Sequence, residues 1–191
     1  MKHLLAVLLA AIQGGVVTGH VRVAGRGAAD VLVVVRAGLP ARVKYQAPIA
    51  PVVFEIRGCR AIPRVAGIQV GQALEIHNGD AMAHRIATTV QRNRPFDVVV
   101  PAGGRVRRVL ASPELAVELQ CDARVDPAAT IAVLTNPFFA VTGGDGSFTL
   151  RGLPPGTYTL EARHEHYGTD TATLTVAAGG TVIQDFRFAR R

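Results

Sequence analysis

Two cysteines, Cys59 and Cys121, carry the most distinctive chemistry in this sequence. Cys121 ends an alternating apolar run typical of a strand, and a second apolar run begins at Thr130 after a short polar loop. A thiolate on a loop between two strands of a β-sandwich can bind copper when imidazole ligands lie nearby. His77 and His84 flank an Asn-Gly-Asp turn and are candidates for such a pair, although most histidines of this kind are surface or structural residues.

The same two cysteines have a second interpretation, as a disulfide. In an oxidising compartment an even number of cysteines is more often bonded than free. Two separate, buried thiols are the alternative, and the geometry that the two cysteines adopt in the fold decides between these interpretations. We favour the Cys59–Cys121 disulfide as the prediction.

The N-terminus predicts export. Residues 1–3 include a lysine, and residues 4–12 are nine consecutive apolar residues, which together are typical of a signal peptide that we place at residues 1–14. Nine apolar residues are too few to span a bilayer. We therefore expect a periplasmic or secreted protein with no integral membrane span after the signal peptide is cleaved.

The rest of the chain is organised as short strands separated by turns. With 20 Gly, 11 Pro and a 49% hydrophobic composition, the sequence favours many short strands around a real core. Residues 65–70 and 73–76, joined by Gly71 and Gln72, resemble a hairpin. The middle block, residues 38–136, has a strand count suited to a β-sandwich, and compact strands with Gly/Pro turns follow it. These patterns predict an all-β protein.

The net charge of +7 raises the question of a polyanionic partner. The arginines are scattered along the chain, and the tightest group, Arg105, Arg107 and Arg108, divides between the two faces of a strand. Proteins that bind nucleic acid collect their charge on one face and often interleave aromatic residues. We therefore predict no nucleic-acid partner.

The C-terminal part resembles the carboxypeptidase regulatory-like family. The matching residues are Gly-Gly-Asp-Gly-Ser-Phe-Thr-Leu at 143–150 and Leu-Pro-Pro-Gly-Thr-Tyr-Thr-Leu at 153–160. Residues 19–23 and 31–35 resemble the strands with which that family begins. The resemblance implies a transthyretin-like, carbohydrate-binding-like sandwich. It also implies a discontinuous domain of residues 15–37 plus 137–191, into which residues 38–136 are inserted.

The middle block resembles cupredoxin-like domains of exported plastocyanin-type and methylamine-utilisation-type proteins. The matching residues are Pro63-Arg64-Val65, Val70-Gly71-Gln72, Ile76, Asn78, Asp80, His84, Phe96-Asp97, Cys121-Asp122 and the run from Pro137 to Thr142. The resemblance implies a Greek-key sandwich with His84 and Cys121 as copper ligands. It also implies a second His three residues after the Cys and a Met three residues beyond that.

The ligand pattern of that family is incomplete here. Arg124 stands three residues after Cys121, and Pro127 stands three residues further on. Arginine stays protonated and repels Cu²⁺, and proline offers no ligand atom. Asp122 or Asp126 as replacements would have the wrong softness. We therefore predict that the copper site is lost and that His84 and Cys121 are residual ligands without a metal function.

The sequence shows no convincing set of catalytic residues. Ser112 and Ser147, the two serines, both stand in turn-forming surroundings. His164 and His166 are placed by the pattern on one face of a strand, a spacing that binds Zn²⁺ adventitiously but differs from the helical motif of metalloproteases. We therefore predict that the protein is not an enzyme and has no cofactor.

These observations together predict two antiparallel β-sandwiches, one cupredoxin-like and one of the carboxypeptidase regulatory-like type. The function we favour is an exported, non-catalytic binding or structural module of the cell envelope, whose partner is an envelope glycan or a protein. The alternative is a type 1-like copper protein for electron transfer that uses His84, Cys121 and replacement ligands.

Overall fold

A computed structural model describes residues 13–122 and 125–189 of the 191-residue chain. Within those residues the regular structure consists of β-strands, which confirms the all-β prediction. Among the same residues there is no helix with the length and apolar character that crossing a membrane requires. The predicted signal peptide falls mainly in residues 1–12, outside the described residues.

The strands are numbered in chain order. The first nine are β1 (Gly15–Val23), β2 (Arg26–Gly27), β3 (Leu32–Ala37), β4 (Val52–Arg57), β5 (Arg60–Ile62), β6 (Val65–Gln69), β7 (Ala73–Asn78), β8 (His84–Thr89) and β9 (Asp97–Val100). The remaining nine are β10 (Arg105–Val109), β11 (Glu114–Cys121), β12 (Ala129–Leu134), β13 (Phe139–Val141), β14 (Ser147–Leu153), β15 (Gly156–His164), β16 (Gly168–Val176), β17 (Thr181–Ile183) and β18 (Phe186–Phe188).

The first sandwich is built from both ends of the chain. In one sheet β1 pairs antiparallel with β14 and parallel with β17 and β18. The other sheet has the order β13-β3-β15-β16. Residues of β1 alternate between buried and half-buried, because successive side chains of a strand point to opposite faces. Large side chains that fill this core include those of Val17, Val33, Phe148, Tyr158, Leu160 and Phe186.

The second sandwich is built from the middle of the chain. Its two sheets have the strand orders β10-β7-β4-β5 and β6-β12-β11-β8-β9. A separate core lies between them, and its fully buried members include Phe54, Ile56, Ile68, Leu74, Ile76, Ile86, Leu119 and Ile131. Each sandwich therefore has its own hydrophobic core.

Strand pairing departs from the sequence prediction in two respects. The sheets are mixed rather than purely antiparallel, because β4 with β7 and β6 with β12 are parallel pairs. The predicted hairpin of residues 65–76 is wrong, since β6 and β7 lie in different sheets. The Gln72 side chain stabilises the turn at this crossing. It accepts a hydrogen bond from the Gln69 N–H and donates one to the Ala50 carbonyl, so the turn is held against another segment.

The two sandwiches meet through strands that are buried on both faces. On β3, Val33 and Val35 belong to the first core, whereas Leu32 and Val34 pack in a third apolar cluster. On β12, Ile131 and Val133 belong to the second core, whereas Ala132 and Leu134 pack in the third cluster. The outer faces of β3 and β12 therefore form the contact between the sandwiches.

Candidate functional site

Strand pairing brings the predicted metal-site residues together at one end of the second sandwich. Cys121 ends β11 and His84 begins β8, and these strands pair antiparallel with Cys121 opposite Ile86. The Asp122 N–H continues this ladder by donating a 2.8 Å hydrogen bond to the Arg85 carbonyl. Cys59 enters from the turn between β4 and β5.

Cys59 and Cys121 form a disulfide, with their Cα atoms 5.4 Å apart. Both are buried, at 8% and 0% exposure, and they are the only cysteines in the chain. Cys59 has a φ of 58°, a conformation that residues other than Gly rarely adopt. The pair fits the disulfide interpretation of the sequence, not that of two separate thiols.

His84 lies beside this disulfide and between two carboxylates. Its Nδ1 atom is 2.7 Å from Asp122 Oδ2, and its Nε2 atom is 2.8 Å from Asp80 Oδ2. Cys59 Sγ is 3.5 Å from His84 Nδ1 and 3.1 Å from Asp122 Oδ2. Because a disulfide sulfur carries no hydrogen, it donates in neither contact. With a carboxylate at each nitrogen, His84 has acceptors for both protons of an imidazolium.

The charges in this cluster reinforce one another. The hydrogen bond to Asp122 raises the pKa of His84, with a further contribution from Asp80, and these outweigh the opposing effect of burial. The hydrogen bond with His84 in turn lowers the pKa of Asp122. For Asp80, desolvation opposes ionisation, but bonds from His84 and the Gly58 N–H lower its pKa overall. The cluster therefore favours a positive imidazole between two negative carboxylates.

Backbone donors fix the orientation of both carboxylates. The Arg85 N–H donates to Asp122 Oδ1 at 2.9 Å, so Oδ2 is the oxygen that faces His84. The Gly58 N–H donates to Asp80 Oδ2 at 2.7 Å, and the Asp80 N–H donates to Asn78 Oδ1 at 3.0 Å. Asn78 is itself buried and donates to three backbone carbonyls. These bonds make the cluster a rigid arrangement.

The remaining metal candidates from the sequence lie elsewhere or lack a ligand atom. His77 is not part of the cluster, because its Nε2 atom lies 3.2 Å from Glu75 Oε2 on the same strand. Pro127 is half-buried in the segment before β12, and Arg124 lies outside the described residues. Sequence reasoning did not identify Asp80 as a partner of His84. Its position four residues before that histidine, in the turn after β7, was the available signal.

The prediction that His164 and His166 share one strand face is wrong. β15 ends at His164, and His166 lies in the turn that follows, with the two ring centroids 5.6 Å apart. His166 Nε2 is 3.0 Å from Glu165 Oε1, and the same carboxylate pairs with Arg64 of the second sandwich. Burial lowers the pKa of His164. This cluster therefore contributes an ion pair between the sandwiches.

A cleft of about 450 Å³ lies where the two sandwiches meet. Its lining includes three arginines, Arg36, Arg92 and Arg163, together with Glu114 and Asn136. Arg36 Nε and Arg163 Nε lie 3.3 Å and 3.0 Å from the two oxygens of Glu161. The guanidinium side chains of both remain over 40% exposed, so the cleft presents basic groups to solvent.

Several solved structures are similar to parts of the chain. A copper-containing nitrite reductase from Thermus scotoductus is 23% identical with a TM-score of 0.39, and the match covers 52% of this chain and 26% of that one. A purple cupredoxin from Nitrosopumilus maritimus is 16% identical with a TM-score of 0.36, over 43% of this chain and 98% of that one. These scores are too low to support any conclusion about fold or function. No curated protein sequence matches the chain.

One family model matches the sequence, that of the carboxypeptidase regulatory-like domain, over residues 121–189. The match contains β13 to β18, which all belong to the first sandwich. It also begins inside the second sandwich, at the end of β11, and omits β1 and β3. Strand pairing, rather than the limits of the match, therefore defines the first sandwich. The resemblance to the carboxypeptidase regulatory-like family is confirmed over residues 121–189.

Proposed function

We propose that this chain is an exported, non-catalytic binding or structural module of the cell envelope, in which the copper site of the cupredoxin family is lost. The observation that carries this proposal is the Cys59–Cys121 disulfide. A type 1 copper ion needs a thiolate in its trigonal plane, and the sulfur of Cys121 is already bonded to another sulfur.

The count of other ligands supports the same conclusion. The described cluster offers one imidazole, His84, where a type 1 site needs two. Asp122 supplies a carboxylate, which is a harder ligand than copper prefers in such a site. Neither Arg124 nor Pro127 offers a replacement, because arginine remains protonated and proline has no side-chain donor atom.

The same bond supports the proposed compartment. Disulfides persist in secreted and periplasmic proteins and are rare in the reducing cytosol. Residues 1–14, with their apolar stretch, agree with export. We therefore place the protein in the periplasm or outside the cell.

The arginine-lined cleft is the surface that best suits a partner. Glu161 and Glu114 offset two of the three arginine charges at the cleft, so a net charge of +1 remains for a ligand. Guanidinium groups bind carboxylates through paired hydrogen bonds. An acidic envelope glycan, or an acidic segment of a protein partner, fits this chemistry.

Copper titration tests the proposal directly. Adding Cu²⁺ to the purified, non-reduced chain should give no intense thiolate-to-copper absorption band in the visible range. The second candidate function, electron transfer by copper, is favoured by the convergence of Cys121, His84 and Asp122. An intense visible band, held at one copper per chain, would establish a copper–thiolate site, support that second function and refute the first.

Glycan binding tests the partner. Oligosaccharides rich in uronic acid should bind the chain more tightly than neutral oligosaccharides of the same length, as measured by isothermal titration calorimetry. Arg92→Gln should weaken that binding several-fold, whereas Arg151→Gln, an exposed arginine on β14, should leave it unchanged. Equal binding of acidic and neutral sugars would refute the glycan assignment and leave the protein partner, to be sought with acidic peptides.

A further inference from the structure

Four potential metal ligands converge at the disulfide. One ligand atom from each of Cys59, His84, Cys121 and Asp122 lies within 4.8 Å of all the others. Cys59, His84 and Cys121 are buried, whereas the Asp122 side chain is 44% exposed and opens the cluster to solvent. In the oxidised chain the two sulfurs are bonded to each other and hold no metal as thiolates.

We propose that reduction of the Cys59–Cys121 disulfide creates a four-ligand Zn²⁺ site from Cys59, Cys121, His84 and Asp122. A dithiol reductant transfers two electrons to the disulfide and becomes a disulfide itself, which leaves two thiols in the chain. Zn²⁺ then replaces the protons of both thiols and the proton on His84 Nδ1, and these protons pass to solvent. This site goes beyond the proposed function and does not depend on it.

The ligand set suits Zn²⁺ in number and in kind. Two thiolates, one imidazole and one carboxylate are four ligands of the types that bind this ion tetrahedrally. With ligand bonds of about 2.0–2.3 Å, neighbouring ligand atoms of such a site lie roughly 3.3–3.8 Å apart. Cys59 Sγ is already 3.5 Å from His84 Nδ1 and 3.1 Å from Asp122 Oδ2. Two movements are therefore required: the two sulfurs separate, and His84 Nδ1 and Asp122 Oδ2 move apart from their hydrogen-bonded distance of 2.7 Å.

Neighbouring groups are already arranged to support the ligands. Asp80 accepts a hydrogen bond at His84 Nε2, which keeps the proton on that nitrogen and leaves Nδ1 to face the metal. The Gly58 N–H holds Asp80 in turn. The Arg85 N–H holds Asp122 Oδ1, which leaves Oδ2 as the metal ligand. Metal-bound histidines almost always donate their second ring N–H to a carboxylate, a backbone carbonyl or a water, and Asp80 supplies such an acceptor here.

The site differs from a type 1 copper site in its ligands and in its control. It has two thiolates and one imidazole in place of one thiolate and two imidazoles, and its carboxylate replaces a thioether. The two thiolate ligands also form only when the cysteines are reduced, so the oxidation state of the cysteines controls metal binding. The cluster is therefore a redox-controlled zinc site, closed in oxidising surroundings and open after reduction.

Cobalt binding tests this proposal, because Co²⁺ occupies tetrahedral zinc sites and reports its ligands by absorption. The full chain, reduced with a phosphine, should bind one Co²⁺ with thiolate-to-cobalt bands in the near ultraviolet and tetrahedral bands in the visible. Zn²⁺ should displace the cobalt and remove both sets of bands. The non-reduced chain should show neither. All samples should carry His164→Gln and His166→Gln, which remove the other histidine cluster.

Variants then identify the ligands. Cys59→Ser should halve the thiolate absorption, and Asp122→Asn, at an exposed position that tolerates the change, should weaken Co²⁺ binding at least tenfold. Asp80→Ala, which removes the hydrogen-bond acceptor at His84 Nε2, should weaken it about 10- to 100-fold. The matched control is Asp97→Asn, a carboxylate that pairs with Arg85 outside the cluster and should leave binding unchanged.

Four results would overturn the proposal. The first is equal cobalt affinity in the reduced and non-reduced chains, and the second is cobalt binding without thiolate absorption. The third is full affinity in both Cys59→Ser and Asp122→Asn. The fourth is a reduced chain that unfolds, as followed by circular dichroism, and does not regain its structure when Zn²⁺ is added.

Discussion

The disulfide between Cys59 and Cys121 closes a loop of 62 residues that contains most of the second sandwich. Chain-entropy reasoning for a loop of this length gives about 4 kcal/mol of stabilisation, chiefly through restriction of the unfolded chain. We expect Cys59→Ser to lower the free energy of unfolding by about that amount, measured by urea denaturation.

A double variant provides the control for this prediction. Cys59→Ser combined with Cys121→Ser should cost about as much as the single variant, because either change removes the same bond. A cost below about 1 kcal/mol for both variants would show that the disulfide adds little to stability beyond an ordinary substitution.

Glu114 is the buried charge that holds the loop after β8. Its carboxylate accepts hydrogen bonds from the backbone N–H groups of residues 91–93 and from the Asn93 side chain. Burial by itself would raise the pKa of Glu114, but these hydrogen bonds outweigh burial and lower it. A carboxyl group with a lowered folded-state pKa stabilises the protein above its unfolded pKa, near 4.3, and loses that contribution as pH falls through the folded value.

We therefore expect Glu114→Gln to cost roughly 1.5–3 kcal/mol at pH 7, since it removes a charged acceptor. The difference from the parent chain should shrink as pH falls below about 4. Urea denaturation at a series of pH values measures both effects. Glu118→Gln, at a half-exposed position on the same strand, should cost about 0.5 kcal/mol or less at pH 7. A Glu114→Gln deficit that stays constant down to pH 3 would contradict the assignment.

At the scale of single residues, the reactive side chains could be predicted from the sequence, whereas the residues that hydrogen-bond to their surroundings could not. The resemblance to cupredoxin-like domains implied that Cys121 and His84 lie close together, and an even cysteine count in an exported chain favoured the disulfide. The role of Asp80 was not predictable, because it depends on how the turn after β7 directs one side chain. Glu114 was not predictable either, since its partners come from a loop about twenty residues earlier.

At the level of strands, Gly67 permits a close contact between the two sandwiches. It lies on β6, and a Cβ atom at this position would overlap the ring of Phe139 on β13. The absence of a side chain at Gly67 therefore allows the ring to pack directly against the β6 backbone. Phe139 belongs to the apolar cluster that joins β3 and β12, so the contact extends that interface.

We expect Gly67→Ala to destabilise the chain by about 1–3 kcal/mol, the usual cost of overpacking a filled site. Adding Phe139→Leu should recover part of that loss, because a smaller side chain gives the new methyl group room. The measurement is the urea midpoint of each variant. Gly144→Ala, whose Cβ would meet nothing within 4 Å, is the matched control and should change stability by no more than about 0.5 kcal/mol. A neutral Gly67→Ala would contradict the close contact.

Strand positions followed from local patterns, whereas strand partners did not. Residues 65–70 and 73–76 were predicted as strands, and β6 and β7 occupy nearly those positions. Their assignment to different sheets depends on β12 and β4, which lie far away in sequence. The predicted connection, Gly71 and Gln72, suits a hairpin as well as a crossing between sheets, so the local signal was ambiguous.

At the level of the whole molecule, the ends of the inserted block lie side by side. β3 pairs antiparallel with β13, with Val34 opposite Phe139, and the Val35 N–H donates to the Phe138 carbonyl. The chain therefore leaves the first sandwich near residue 37 and returns near residue 137 at almost the same place. This geometry supports the division into residues 15–37 plus 137–191 and residues 38–136, which stays a prediction until each part is tested.

Excision of the inserted block tests that division. A chain in which Asn-Gly replaces residues 38–136 should fold, because the linker closes a hairpin between β3 and β13 and all strands of the first sandwich remain. Leu32→Thr and Val34→Thr should accompany the excision, since both side chains lose their cover when the block is removed. The excision also removes Leu39 and Tyr45, which pack against the first core, so the shortened chain should be less stable than the first sandwich of the full chain.

We expect a β-sheet circular dichroism spectrum and a cooperative thermal transition from this shortened chain. A fragment of residues 121–189, the extent of the family match, provides the contrast and should remain unfolded. It lacks β1, to which β14, β17 and β18 all pair, and β3, which separates β13 from β15. A folded fragment with an unfolded excision chain would reverse the division, because residues 121–189 would then be sufficient without the N-terminal strands.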